Sequence, residues 1–195
     1  MYTKQACRVR FKFMRDQLSD TLYHRFNVKL LKQFKSLSLE GIAYFHTFLP
    51  VLAKKEPNTL LLIEYLKKNY PSIKIVVPKS DLQTNAMTHY VLGEQELVTN
   101  KWGIAEPQGS AHQVAVELID MVLLPLLTFD LEGNRVGYGK GYYDRFLSTC
   151  RPDVRKIGLS LFDPVDKIID SEAHDIPLDV CITPTKVWFF SQINR

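Results

Sequence analysis

The sequence predicts a single α/β domain of three layers, in which a mostly parallel sheet is flanked by helices. Three observations predict it. Segments with the 3.6-residue period of amphipathic helices alternate with short apolar runs rich in β-branched and aromatic residues, the order that builds parallel sheets. At 195 residues the chain has the length of one domain with a substantial core, so residues 1–195 are read as one unit. Late in the chain a buried strand, a glycine-rich loop and a helix start follow one another directly.

Lys4 to Leu18 reads as an amphipathic helix, with Cys7, Phe11, Met14 and Leu18 on one face. Lys4, Arg8, Lys12 and Arg15 form a basic stripe beside that face. Such a stripe either leans over a bound anion or is a solvated face snorkelling around a docked helix. Leu22 to Phe34 reads as a second helix, Gly41 as a break, and Ile42 to Leu49 as a strand. The loop Lys54 to Thr59 leads into a helix from about Leu60 to Asn69, with Asn58 or Thr59 as its N-cap. Ile73 to Val77 is the next strand and ends in Pro78-Lys79, which puts a lysine at the strand's carboxyl end, where α/β sheets bind ligands. Ala86 to Leu92 is a further strand candidate. Met121 to Leu127 is a continuous apolar run that reads as a buried strand, and Tyr142 to Cys150 has helix composition. Lys156 to Leu161, Val180 to Thr183 and Lys186 to Phe190 complete the set as strands.

Between the Met121–Leu127 strand and the Tyr142 helix lies Gly133-Asn-Arg-Val-Gly-Tyr-Gly-Lys-Gly-Tyr-Tyr-Asp-Arg145, with four glycines in nine residues and Arg135 and Lys140 among them. Glycine tolerates positive φ and lets backbone N–H groups turn inward, and a helix N-terminus adds partial positive charge, so this arrangement suits phosphate. It is not a Walker A loop, because Asn134 and Gly141 stand where that pattern needs Gly and a hydroxyl residue. Nor is it the dinucleotide fingerprint, since Tyr142 occupies the third glycine's place. The fold is therefore expected to be Rossmann-like without that fingerprint. The bland alternative is a hairpin or Ω-loop whose glycines serve turns only.

The whole stretch resembles the signature of the 5-formyltetrahydrofolate cyclo-ligase family, enzymes that use Mg-ATP to close 5-formyltetrahydrofolate into 5,10-methenyltetrahydrofolate. Three further segments agree in order. Lys4-Gln-Ala-Cys7-Arg8 is similar to the family's opening Lys-x-x-Leu-Arg, Glu56 to Thr59 to its Glu-x-x-Thr, and His174 to Asp179 to its His-Asp-x-x-Leu-Asp. The resemblance implies ATP contacts from Lys4, Arg8, Arg135, Gly137, Gly139, Lys140, Gly141, Tyr142 and Tyr143, with the helix of residues 1–18 contributing to the ATP site. It implies catalytic roles for Lys140, Arg135 and Tyr142, folate contacts from Leu49, Glu56, Trp102 and Tyr142, and Mg²⁺ held by Asp144 and Asp175. Read as residues alone, Glu56 is a first-turn acid favoured by the helix dipole, Asp144 a cap or ion-pair partner, and Asp175 an Asx turn before Pro177. The chain departs from the family at Leu126-Leu127, where a glycine is usual and the wall of the folate pocket is concerned, and at Phe162 to Val165, where a Gln-centred segment is usual; both departures leave room for another substrate.

Composition excludes other classes. With 46% hydrophobic and 24% charged residues this reads as an ordinary soluble protein. Its apolar runs are too short to span a bilayer and its N-terminus lacks an apolar leader core, which predicts a cytoplasmic enzyme without a membrane partner. Cys7, Cys150 and Cys181 suggest neither disulfides nor zinc, and His24, His46, His89 and His112 show no ligand spacing. Residues 1–35 carry nine Lys/Arg and two Asp/Glu, a balance of +7 within a net charge of +4. That excess leaves two rivals, a paralogue acting on another heterocycle and a non-catalytic RNA- or nucleotide-binding module. The helix has no aromatics interleaved on its basic face, so no nucleic acid is expected, and the protein is read as a monomer.

Overall fold

The computed structural model describes residues 1–81, 83–94, 96–100, 103–108 and 113–190. In chain order the elements are α1 (Lys4–Asp16), α2 (Asp20–Phe34), β1 (Tyr44–His46), α3 (Leu60–Asn69), β2 (Lys74–Ser80), β3 (Met87–Val91), β4 (Leu97–Thr99), β5 (Ala105–Pro107), β6 (Met121–Pro125), β7 (Thr128–Phe129), β8 (Arg135–Val136), α4 (Tyr142–Thr149), β9 (Arg155–Leu159), β10 (Val180–Ile182) and β11 (Val187–Phe189). Seven strands form the main sheet in the order β11-β10-β9-β6-β1-β2-β3. Its five central strands run parallel, and β11 and β3 add antiparallel edges. The expected mostly parallel, helix-flanked sheet is what the chain forms.

Its layers follow from the apolar pattern. Leu30 and Phe34 of α2, with Leu62, Ile63 and Leu66 of α3, cover one face over Phe45, Ile75, Leu123, Ile157 and Ile182. Phe146 and Leu147 of α4 cover the other over Val76, Val122, Leu124 and Cys181. Successive residues of a buried strand serve opposite faces, which is why β6 is apolar throughout. α1 belongs to neither layer. Its Cys7 and Phe11 join Leu127, Val136, Val165 and Ile168 in a smaller cluster over the β7–β8 hairpin.

Caps decide where helices start. Thr3 Oγ1 accepts from the Ala6 N–H at 3.2 Å and opens α1. Ser19 Oγ accepts from the Leu22 N–H, so α2 begins at Asp20 and not at Leu22. Thr59 sits at the N-cap of α3 without capping it. Its hydroxyl donates to the Phe48 carbonyl at 2.7 Å, and the Leu60 N–H goes to Asn58 Oδ1. β1 is shorter than the apolar run 42–49 suggests, because Phe48 and Leu49 leave the ladder to line a cavity. β2 is longer, since pairing with β3 carries it to Ser80. Pro78 and Ser80 then face the cavity while Lys79, between them, does not line it.

From β1 the chain steps to β2 on one side and to β6 on the other. That reversal opens a crevice at the carboxyl ends of β1 and β6, the general ligand position of open α/β sheets. Every segment that follows a central strand end here, Thr47 to Glu56 after β1 and Leu126 to Gly141 after β6, turns toward it.

Candidate active site

Two adjoining cavities occupy the crevice, one of about 340 Å³ and one of about 310 Å³. Lys4, Arg8, Gly139, Gly141, Asp144 and Asp175 line both and form their common wall. The larger cavity continues over an apolar surface of Phe48, Leu49, Val51, Met87, Ile104 and Pro125, and includes Glu56, Arg135, Gly137, Lys140, Tyr142 and Tyr143. The smaller continues past Arg145, Ser148, Glu172 and His174. Thus the site residues expected from the sequence line this crevice except Lys79, which faces away from it, and Trp102, which lies outside the described residues.

The wall is built by the glycine loop. The β7–β8 turn is fixed by Asp130, whose carboxylate accepts from the Glu132, Asn134 and Ile168 N–H groups, and this aims Arg135 at the crevice. Gly139 has φ +90°, and a Cβ there would lie 3.2 Å from the Arg8 guanidinium, so the loop needs glycine both for its turn and for the close approach of α1. Arg8 Nε donates to the Gly137 carbonyl at 3.1 Å. Gly141, at φ +68°, is the N-cap of α4 and offers no capping side chain, which leaves the first N–H groups of that helix open beside the cavity. Gly137 differs from both. Its φ is not positive and a Cβ would meet nothing within 4 Å, so neither turn nor packing explains its missing side chain.

Charges at the wall come as two cation–carboxylate pairs. Lys4 Nζ lies 2.6 Å from Asp175 Oδ2 and Arg135 Nη2 lies 2.6 Å from Asp144 Oδ1. Arg135 also donates to the Ile176 carbonyl, and Asp144 Oδ1 accepts the Ile176 N–H at 3.2 Å. Burial opposes the charge on Asp175, yet the Glu172 N–H and Lys4 together hold it below the usual carboxylate range. Burial draws the Arg135 value down, against the pull of Asp144. Asp144 Oδ2 and Asp175 Oδ1 have no hydrogen-bond partner among the described residues. Two carboxylates with one spare oxygen each fit Mg²⁺, which takes one or two protein carboxylates and fills its remaining positions with phosphate and water. Among the described residues no cluster of three or more acidic, His or Cys ligands competes with them. Lys140 is exposed and makes no ion pair among the described residues.

The other end of the larger cavity was only partly visible in the sequence. Glu56 is no helix-dipole acid. It is 7% exposed and lines the cavity, with Oε2 accepting the Val51 N–H at 2.8 Å and Oε1 accepting from the Tyr138 hydroxyl. Arg15, read from the sequence as part of the basic stripe, is 3% exposed; it donates to Tyr138 Oη at 2.7 Å and to the Leu126 carbonyl at 2.5 Å. Arg15 and Tyr138 were missed because a polar residue inside a basic stripe or a glycine loop carries no local sign of a distant partner. Neither family departure forms part of the cavity wall, the place suggested for Leu126. Leu126 packs into the space left by Gly158, whose Cβ would sit 2.7 Å from it, and neither Leu126 nor Phe162 to Val165 lines the cavity. Beneath the site, His46 and His89 are buried against Phe146 at ring distances of 4.8 and 4.2 Å. Burial drives both below the ordinary histidine value, His89 to about 4.

Similarity to known proteins agrees with this geometry. A probable 5-formyltetrahydrofolate cyclo-ligase of Schizosaccharomyces pombe is 31% identical over 151 residues, covering 70% of this chain and 72% of that one. The 5-formyltetrahydrofolate cyclo-ligase of Escherichia coli K12 is 34% identical over 97 residues, 49% of this chain and 53% of that one. The solved 5,10-methenyltetrahydrofolate synthetase of Aquifex aeolicus superposes with a TM-score of 0.77 at 27% identity, over 98% of this chain and 94% of that one. The model of one family extends across α1, both carboxylate pairs and the glycine loop, matching residues 1–184, and the chain therefore belongs to the 5-formyltetrahydrofolate cyclo-ligase family.

Proposed function

We propose that this protein is an ATP-dependent 5-formyltetrahydrofolate cyclo-ligase, producing 5,10-methenyltetrahydrofolate, ADP and phosphate. The observation that carries the reading is the common wall of the two cavities. A nucleotide in the polar cavity and a folate on the apolar surface would meet at Lys4, Arg8, Gly139, Gly141, Asp144 and Asp175.

The reaction needs a poor leaving group made good. The formyl oxygen attacks the γ-phosphorus of ATP and ADP departs. N10 then attacks the formyl carbon and loses its proton, while the carbon–oxygen bond breaks and inorganic phosphate leaves. Such a transfer asks for positioning and positive charge around the phosphoryl oxygens, with little covalent chemistry from the protein. Lys140, Arg135, Lys4 and Arg8 supply the charge, and the N–H groups at Gly137 to Tyr143 supply the cradle. Asp144 and Asp175 would hold Mg²⁺, which when bound neutralises charge on the phosphates. The two ion pairs suit an exchange of partners, in which polyphosphate takes Lys4 and Arg135 and the released carboxylates take the cation. Tyr142 and Leu49 flank the folate, and Glu56 receives its ring donors. The same features support an enzyme working as a single domain. They weaken the RNA-binding alternative, because Lys4, Arg8 and Arg15 of the basic helix are engaged inside the protein.

The test is near-ultraviolet absorbance with 5-formyltetrahydrofolate and Mg-ATP, following the methenyl product. An ATP-dependent rise that is lost in Asp144→Asn supports the function and the metal assignment together. No rise, with ATP binding intact by calorimetry, would refute the folate substrate and leave a nucleotide enzyme acting on another heterocycle.

A further inference from the structure

Glu56 is held at three points. Its carbonyl accepts the Tyr23 hydroxyl at 2.5 Å, one carboxylate oxygen takes the Val51 N–H, and the other takes the Tyr138 hydroxyl. Behind Tyr138 stands Arg15, a buried guanidinium that makes no ion pair among the described residues and whose Nε has no hydrogen-bond partner. A buried charge without a directly bonded countercharge is costly, and so is an unpartnered buried N–H. The arrangement is a relay that joins α1 to the glycine loop and the glycine loop to the β1–α3 connection.

Its polarity is forced. A guanidinium only donates, so Tyr138 Oη accepts from Arg15 and its single proton must point at Glu56. Burial pushes the Tyr138 hydroxyl well above the ordinary tyrosine value, so it keeps that proton. A hydrogen bond received from tyrosine leaves the carboxylate acceptor-only. A direct Arg–Glu pair would take both oxygens in a fork; the interposed phenol takes one lone pair and leaves the rest toward the cavity. We propose that Arg15 and Tyr138 are positioning residues for the substrate heterocycle, holding Glu56 as an acceptor for a ring edge that presents N–H donors. The 2-amino-4-oxo-pyrimidine edge of a pterin is such an edge. This deepens the folate reading and rests on it.

The alternative is a strut that only closes α1 onto the loop. A strut would act on both substrates and on stability alike, since α1 also carries Lys4 and Arg8. A positioning relay acts on the folate alone. Steady-state kinetics and calorimetric binding of 5-formyltetrahydrofolate would compare wild type, Tyr138→Phe, Glu56→Gln and the double variant. Tyr138→Phe should raise the folate KM about tenfold or more, the scale of one hydrogen bond to a charged group, with the ATP KM unchanged. In the Glu56→Gln background the same substitution should change the folate KM less than twofold, because its target is gone. Equal shifts in the KM of both substrates, or a tenfold effect that persists in the Glu56→Gln background, would overturn the proposal. Should Tyr138→Phe fail to fold, Arg15→Lys, which keeps the charge but lacks the fork to reach both Tyr138 and Leu126, must show the same selective shift. Wild-type protein that neither binds nor turns over the folate would refute the functional reading itself; wild-type turnover with an unmoved folate KM in both variants would refute the relay alone.

Discussion

Acid should destabilise this protein well above the pH at which carboxylates titrate, through His46 and His89. Both rings are inside the domain, 0% and 4% exposed, and pack edge to face at 5.1 Å against each other. Neither ring nitrogen of His46 and not Nδ1 of His89 has a hydrogen-bond partner among the described residues. Nothing compensates a charge there, so the folded state keeps His89 neutral down to about pH 4, against an ordinary 6.5, and His46 is lowered as well. The unfolded chain protonates both imidazoles below about pH 6.5. It therefore binds more protons than the folded state through the window between these values, and stability rises with pH there. The contribution is fully present above the unfolded value and is lost as pH falls toward the folded one. For His89 alone the loss between pH 7 and pH 4.5 is roughly 2–3 kcal/mol, with a limiting slope of about 1.4 kcal/mol per pH unit, and His46 adds a second proton of the same sign. The depressed carboxylates Asp120 and Asp175 lose their contribution at lower pH, below the ordinary carboxylate value, so the window belongs to the histidines. Urea unfolding at fixed ionic strength from pH 7 to pH 5 measures the slope, and a His46→Leu/His89→Leu variant supplies the reference. Equal slopes in the two proteins would refute the reasoning.

Three further predictions concern the glycine loop. Lys140→Ala should reduce turnover about a hundredfold, the scale of one lost electrostatic donor, while unfolding free energy changes by less than about 0.5 kcal/mol, because the side chain is exposed; equal losses in both would make Lys140 structural. Gly139→Ala should cost about 1–2 kcal/mol in thermal or urea unfolding, since it forces a side chain to φ +90° against Arg8. Gly137→Ala should leave stability unchanged within about 0.5 kcal/mol yet raise the ATP KM on the order of tenfold, because only a ligand would meet its methyl. An unaltered ATP KM in Gly137→Ala would remove the argument that this glycine makes room for phosphate.

The sequence showed most of the fold because local and global preferences agree in it. The 3.6-residue pattern of α1, the β-branched run of β2 and the apolar β6 each point to one structure. Strand ends were less legible. Ile42 to Leu49 reads as one strand, yet only Tyr44–His46 pairs, since an apolar residue that lines a ligand cavity has the same composition as one that lines a core. At the glycine loop the site was readable because glycine, lysine and arginine sit within a few residues of one another. At the Glu56 end it was readable only through the family resemblance at Glu56 and Leu49. Arg15, Tyr138 and Glu56 are separated by 123 and 82 positions in the chain, and no local period records such a contact.

The charge pattern of residues 1–35 shows the same difference between composition and place. An excess of +7 suggested a surface for a polyanion, and in the structure its members have separate uses. Lys4 pairs with Asp175, Arg8 lies on Gly139, Arg10 donates to the Tyr2 hydroxyl and Arg15 is buried behind Tyr138. Only the first two reach the common wall, and both do so from the N-terminal half of α1, while Arg15, from its C-terminal half, donates to Tyr138, which lines the larger cavity beside Glu56. One helix of 13 residues thus lines the common wall directly and meets the Glu56 end through Tyr138, held over the β7–β8 hairpin by Cys7 and Phe11. A polyphosphate drawn to Lys4 and Arg8 would act on the same body that orients Glu56. A site in which phosphoryl donor and acceptor must meet at one wall gains from that common support, because error in the placement of either substrate enters the transfer distance directly.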